Sequence, residues 1–264
     1  MSTTTNLQLI VVLAGLLLAG IKLHQTYAIA DVNEHPDNQS IYGIDVSHWQ
    51  GVINWASVAN YQYKGRKIGL VFMKATEGVN TVDSRYLENS KGVSQNLDVK
   101  VKGAYHYFHP KTSATGQADH FASMLSKDPY FDKAKDWIAI DVEDPNVLGE
   151  DSPYGMTKAE YAKTIKDFLD SMKAKGYVNQ MIYGGTSYWE SRIGSAGADL
   201  WKGRALWKAR YRDPFENEQF WTTDLPTGAP AVSVWQFSDA GKIDGISGGS
   251  VDLNLISNHF PITL

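Results

Sequence analysis

The chain has 264 residues, 43% of them hydrophobic and 20% charged, the profile of a globular protein with enough apolar material for a sizeable core. A net charge of −4 and a pI near 6.0 argue against the basic footprint of a nucleic-acid binder, so a polymeric partner would have to be held by shape and hydrogen bonds. With no cysteine, the chain has no disulfide, thiol nucleophile or thiolate metal site.

The first element is Leu9 to Ile21, an uncharged apolar run. As a helix it would span roughly 20 Å, short of the ~30 Å hydrocarbon core of a bilayer. That length suits the apolar stretch of a signal peptide, and Ala28 and Ala30 before Asp31 offer a small-residue cleavage pattern. The first cation, Lys22, lies on the wrong flank for an ordinary leader, so residues 1–30 read either as a cleaved leader or as a weakly inserted signal anchor. Both fates imply export, periplasmic or secreted, the second with transient membrane tethering through Leu9 to Ile21. Residues 31–41 are almost wholly polar and carry Pro36, which predicts a tether before a folded domain over 42–264.

Within that domain, short β-type runs at 42–46, 69–75, 101–108, 137–143, 180–184, 205–211, 232–237 and 251–254 alternate with helical ones. Helices are predicted at 55–61, 84–95 and 116–125. The clearest one follows Thr157, which forms a capping-box pattern with Glu160; Tyr161, Ile165, Phe168, Leu169 and Met172 then recur at helical spacing before Gly176. Such alternation predicts an α/β fold of parallel strands joined by crossovers, and eight candidate strands favour a single barrel over an open sheet. Residues 241–250 are glycine-rich but lack phosphate-loop spacing and read as a surface loop.

The candidate chemistry sits at strand ends. Asp141 and Glu143 are two apart, so on a strand they project to one face with Cα atoms roughly 7 Å apart. Apolar residues from Trp137 to Ile140 lead into them, which makes the strand buried and a casual pair of acids at its end costly. Two neighbouring carboxyls resist joint ionisation, and the one in the less polar setting becomes a general acid. Asp45 in the first strand and Asp252 in the last become neighbours if the sheet closes on itself. His48 has no second histidine at ligand spacing and reads as a packing or hydrogen-bonding residue. His106 and His109, three apart, would point to opposite faces of a strand, so no metal site is predicted.

Taken in order, Gly43-Ile-Asp45-Val-Ser-His48-Trp49-Gln50-Gly51, Phe72-Met-Lys74-Ala-Thr-Glu77-Gly78, Gly103-Ala-Tyr105-His-Tyr107-Phe108, Asp141-Val-Glu143, Leu206-Trp207-Lys-Ala-Arg-Tyr211, Val234-Trp235-Gln-Phe237, and Gly245-Ile-Ser-Gly248 with Val251-Asp252-Leu-Asn254 resemble the motifs of glycoside hydrolase family 25, the Chalaropsis-type lysozymes. The resemblance runs from about Tyr42 to Leu255. It implies a modified, flattened β/α barrel, needing no cofactor, that hydrolyses the β-1,4 bond between N-acetylmuramic acid and N-acetylglucosamine in peptidoglycan. It further implies that Glu143 is the general acid/base, that Asp141 orients the substrate's N-acetyl group, and that Asp45 and Asp252 are the two further acids of the groove. Two acids adjacent on one strand are badly placed to flank a sugar from opposite faces, which favours help from the acetamido group and retention of configuration. Tyr107, Tyr183, Trp207, Tyr211 and Trp235 are candidates for lining the sugar groove, Tyr183 and Tyr211 foremost; Lys74 and Glu77 are expected to form a buried pair that shapes it. Asp144-Pro145 departs from the family pattern and stiffens the chain after Glu143. The enzyme is expected to act as a monomer.

Two other readings compete. A chitinase-like glycosidase of the family 18 type also ends a strand in Asp-x-Glu, but its signature has another Asp where Ala139 stands. An inactive cell-wall glycan-binding module has no need of four acids.

Overall fold

The computed structural model describes residues 41–143, 155–257 and 260. The apolar run at 9–21, the tether up to residue 40, and Asp144-Pro145 lie outside the described residues. The strands in chain order are β1 (Tyr42–Val46), β2 (Gln62–Tyr63), β3 (Arg66–Glu77), β4 (Thr81–Val82), β5 (Val101–Tyr107), β6 (Trp137–Asp141), β7 (Gln180–Gly184), β8 (Ala205–Ala209), β9 (Val232–Gly241) and β10 (Val251–Ile256). The α-helices are α1 (Trp55–Val58), α2 (Tyr86–Asn96), α3 (Ala114–Leu125), α4 (Lys158–Ala174) and α5 (Thr186–Arg192). Among the described residues all eight strands expected from the sequence are present; the short pieces β2 and β4, α5, and the 3-10 turn Gly194–Trp201 were not anticipated.

The sheet runs β1-β10-β9-β8-β7-β6-β5-β3 and closes through a parallel β1–β3 pairing, giving an eight-stranded barrel. Seven of its strands are parallel; β10 runs antiparallel to both β9 and β1. This departs from the all-parallel expectation, and its physical reason is the connection. Only the glycine-rich loop separates β9 from β10, too short for a helical crossover, so the chain turns straight back as a hairpin. That loop is less of a bystander than its composition suggested: Ile246 bridges to Ile53, and Gly245 N–Cα–C packs so closely on α1 that a side chain there would lie 2.5 Å from Asn54 O.

Side-chain alternation sorts the strands into two cores. On β6, Ile138 and Ile140 face the helical layer while Ala139 faces the lumen; the same period puts Asp141 inward at the strand's end. The lumen is filled by residues including Leu70, Phe72, Met181, Trp207 and Val234, with Phe72 and Trp207 rings 4.7 Å apart. Space there is tight: a Cβ on Gly103 would come within 2.2 Å of the Phe72 ring, so only glycine fits opposite that phenylalanine. Outside, α4 buries Tyr161, Ile165, Phe168, Leu169 and Met172, as its periodicity predicts, each side chain contributing about 1.5–3 kcal/mol of burial. Its N-terminus carries the anticipated box, with Glu160 N donating to Thr157 Oγ1 (3.2 Å) and Thr157 N donating to Glu160 Oε2 (2.7 Å).

Candidate active site

The C-terminal ends of β1, β3 and β5–β9 share one mouth of the barrel. Because β10 is reversed, its N-terminal end joins them. Asp45 and Asp252 are direct register partners across β1 and β10, so the closure anticipated from the sequence brings these two acids side by side. Asp141 ends β6, and Glu143 lies just past it; the strand stops at Asp141, two residues earlier than expected. All four carboxyl groups nevertheless line one pocket, together with Tyr105, Tyr183, Trp207 and Gln236.

A hydrogen-bonded chain fixes the floor. Asp45 Oδ2 accepts from Asn254 Nδ2 (2.7 Å) and Gln236 Nε2 (3.0 Å). Trp207 Nε1 donates to Asn254 Oδ1 (2.8 Å), and the Tyr183 hydroxyl donates to Gln236 Oε1 (2.9 Å). Trp207 and Tyr183 are therefore tied into the wall rather than free to swing, with the tryptophan almost wholly buried. Tyr105, Gln236 and Asn254 were not singled out from the sequence, although Tyr105 and Asn254 each lie two residues from a named candidate, Tyr107 and Asp252, and Gln236 directly follows another, Trp235.

Burial dominates the electrostatics. It pushes the Asp45 carboxyl up, an effect opposed by the amide donors of Gln236 and Asn254. Burial and then the neighbouring Asp45 raise Asp252 to about 9. Asp141 is held well above the usual carboxylate range by burial first and by Glu143 second, while the Lys74 ammonium pulls the other way. Asp141 Oδ1 is buried without a hydrogen-bond partner in the protein, an acceptor facing a pocket.

The remaining candidates divide. Tyr211 is half exposed at the rim, its hydroxyl donating to Gln236 Oε1 (3.3 Å). Tyr107 stands at the mouth end of β5 with the Lys74 ammonium 4.9 Å from its ring centre, outside the pocket wall itself. Lys74 bridges to Glu77 (2.7 Å), and Glu77 reaches His109 (3.1 Å), so this pair sits at the rim and is only partly buried. Trp235 does not line the groove. It is fully buried on the outer face of β9, donating to Arg210 O and packing on Trp221, because alternation turns Gln236 inward in its place. His106 is likewise an outer-core residue, bonded to Thr76 and Gln117, and burial drops its imidazole to about 3. His48 Nδ1 bonds Asp83 Oδ2 (2.8 Å).

A barrel mouth that gathers four carboxyl groups is the architecture of a glycoside hydrolase, for which delivery of a proton to a glycosidic oxygen is the central chemical demand. Residues 44–246 match the glycosyl hydrolases family 25, and the chain belongs to that family. It is similar to lysozyme M1 of Streptomyces globisporus, with 34% identity over 227 residues covering 83% of this chain and 68% of the relative. It also resembles the N,O-diacetylmuramidase of Chalaropsis sp., with 25% identity over 224 residues, 81% of this chain and 96% of that one. Among solved structures, the bacterial lysozyme of Streptomyces coelicolor superposes with a TM-score of 0.67 at 30% identity, covering 84% of this chain and 94% of the other.

Proposed function

We propose that this chain is a lysozyme, an N-acetylmuramidase that hydrolyses the β-1,4 bond between N-acetylmuramic acid and N-acetylglucosamine in peptidoglycan, with Glu143 as general acid/base and the substrate's own acetamido group as nucleophile. The observation that carries the mechanism is the pair Asp141 and Glu143 on one side of the pocket, with Asp141 Oδ1 buried and unpartnered. In this reading the acetamido N–H bonds Asp141, which holds the carbonyl oxygen under C1. That oxygen attacks C1 as Glu143 gives its proton to the departing glycosidic oxygen, and the C1–O bond breaks. Glu143, now a carboxylate, takes a proton from water, whose oxygen attacks C1 and reopens the ring formed with the acetamide. Two inversions at C1 leave the configuration retained. Asp45 and Asp252 form the floor opposite, and Tyr183, Tyr211 and Trp207 border the sugar.

The test is the clearing of purified peptidoglycan, followed by mass analysis of the fragments. Products ending in reducing N-acetylmuramic acid are expected; no clearing, or reducing N-acetylglucosamine ends, would remove the muramidase reading. Proton NMR taken within the first turnovers should show the β-anomer.

The proposed setting is outside the cytoplasm, where the substrate is, with the chain acting as a monomer: residues 1–30 direct export, 31–41 tether, and the catalytic unit starts at 42. Among the described residues no helix is long and apolar enough to cross a membrane. Sequencing the N-terminus of exported protein discriminates the two fates of the leader: a start at Asp31 denotes cleavage, whereas an intact Leu9 to Ile21 supports a membrane-held form released later.

A further inference from the structure

Just past Asp45 the chain enters a short turn, His48–Gln50, that presents an indole to solvent: Trp49 is 74% exposed, the most exposed of the large hydrophobic side chains described. A lone exposed apolar residue on a loose loop would carry no meaning. This one is held unusually firmly. Ser47 and Gln50 form a complete capping box around the turn, with Ser47 N donating to Gln50 Oε1 (2.8 Å) and Trp49 N donating to Ser47 Oγ (3.2 Å). Gln50 Nε2 donates to Ser250 O (2.8 Å), at the mouth end of β10. On the other side, His48 gives both its backbone N–H (2.9 Å) and its ring Nδ1 (2.8 Å) to Asp83, directly after β4, which pairs with the mouth end of β3. The turn is thus clamped to both neighbours of β1. Gly248 lies flat beneath it, where any Cβ would fall 2.3 Å from Gln50 O.

We infer that Trp49, with His48 beside it, is an outer binding position for one pyranose ring of the glycan strand, on the rim above the wall that carries Asp45 and Asp252. The proposal rests on the muramidase reading for its ligand. Three features fit a sugar. The indole offers a flat apolar face of the size of the C–H face of a pyranose, and a rigid aromatic orders little on binding. The His48 ring, 4.7 Å from the indole and tilted 35°, has its Nδ1 occupied by Asp83, which leaves Nε2 to meet a hydroxyl or amide beside the stacked ring. Finally, the turn is continuous with the strand that carries a pocket acid, so a glycan threaded across the mouth passes it before reaching solvent.

The experiment measures binding of peptide-free peptidoglycan oligosaccharides of two, four, six and eight sugars, in a Glu143→Gln background so that nothing is cleaved. Trp49→Ala should weaken binding of the longest oligomers about tenfold and change that of the disaccharide less than twofold, with Trp49→Tyr recovering most of the loss. In the active protein, KM on long glycans should rise by a similar factor while kcat holds within about twofold. Equal affinity of the Trp49→Ala and parent proteins for every length would overturn the platform. If oligomers bind in a Trp49-dependent manner yet the native chain cleaves nothing, the platform stands and the muramidase reading fails; if the native chain cleaves and Trp49→Ala is silent, the reverse holds. Unchanged circular dichroism of both Trp49 variants is expected, since the side chain is outside the core.

Discussion

Glu143→Gln should lower turnover on peptidoglycan by about three orders of magnitude and leave KM nearly unchanged, because the amide keeps the shape of the acid but has no proton to give to the leaving oxygen. Asp141→Asn should cost roughly a hundredfold, less than the loss at Glu143. Its amide still fills the buried position beside Lys74 and Glu143, but it cannot become the carboxylate that accepts the acetamido N–H as the ring closes. The two variants should also differ in stability. Burial holds the Asp141 carboxyl well above its usual range, so its ionisation opposes folding at neutral pH; the amide has no proton to lose there and should raise Tm. Initial rates across substrate concentrations, with thermal melts of each variant, check both statements. A Glu143→Gln protein with more than a tenth of native kcat would dismiss it as the proton donor.

The second large effect concerns stability and pH. Asp252 is raised from the usual 3.8 to about 9 by burial and by Asp45 beside it. The folded state therefore holds this proton far more tightly than the unfolded chain. The sign follows: the stability contributed by the bound proton is fully present below about pH 4 and is lost progressively as pH rises through about 9. An asparagine at 252 carries no such dependence. Asp252→Asn should accordingly match the native protein near pH 4 and exceed it by about 2–4 kcal/mol at pH 7, a Tm gain of roughly 5–10 °C. Melting curves at several pH values test this, and a gap that stays constant from pH 4 to 8 would refute it. Because the amide imitates a protonated acid, turnover should fall by less than about tenfold, in contrast to the losses at Glu143 and Asp141.

How much of this was legible in the sequence follows from which forces are local. Strand positions were readable because buried parallel strands are continuous apolar runs, and α4 because its cap and its 3.6-residue stripe agree. The acids were found because a carboxyl at the end of an apolar run is conspicuous, and the motif resemblance gathered them into one site. Trp235 was misplaced because the rim of β9 offers Trp235 and Gln236 in succession, and composition alone does not say which faces inward; the register with β8 and β10 decides. Asn254 and Gln236 escaped notice for a related reason. Their part is to hold the Asp45 carboxylate, a partnership that spans 209 and 191 residues and leaves no local trace.

That long partnership also bears on how the protein is made. The strand that completes the barrel is the last among the described residues, and it carries both Asp252 and the amide that fixes Asp45. A ribosome emits the first half of the site long before the second, so a nascent chain holds Asp45, Asp141 and Glu143 with no finished wall around them. The pocket wall is complete only when β10 pairs with both β1 and β9. Contacts this distant in sequence form slowly, so the pocket is finished only after most of the barrel's residues have been made.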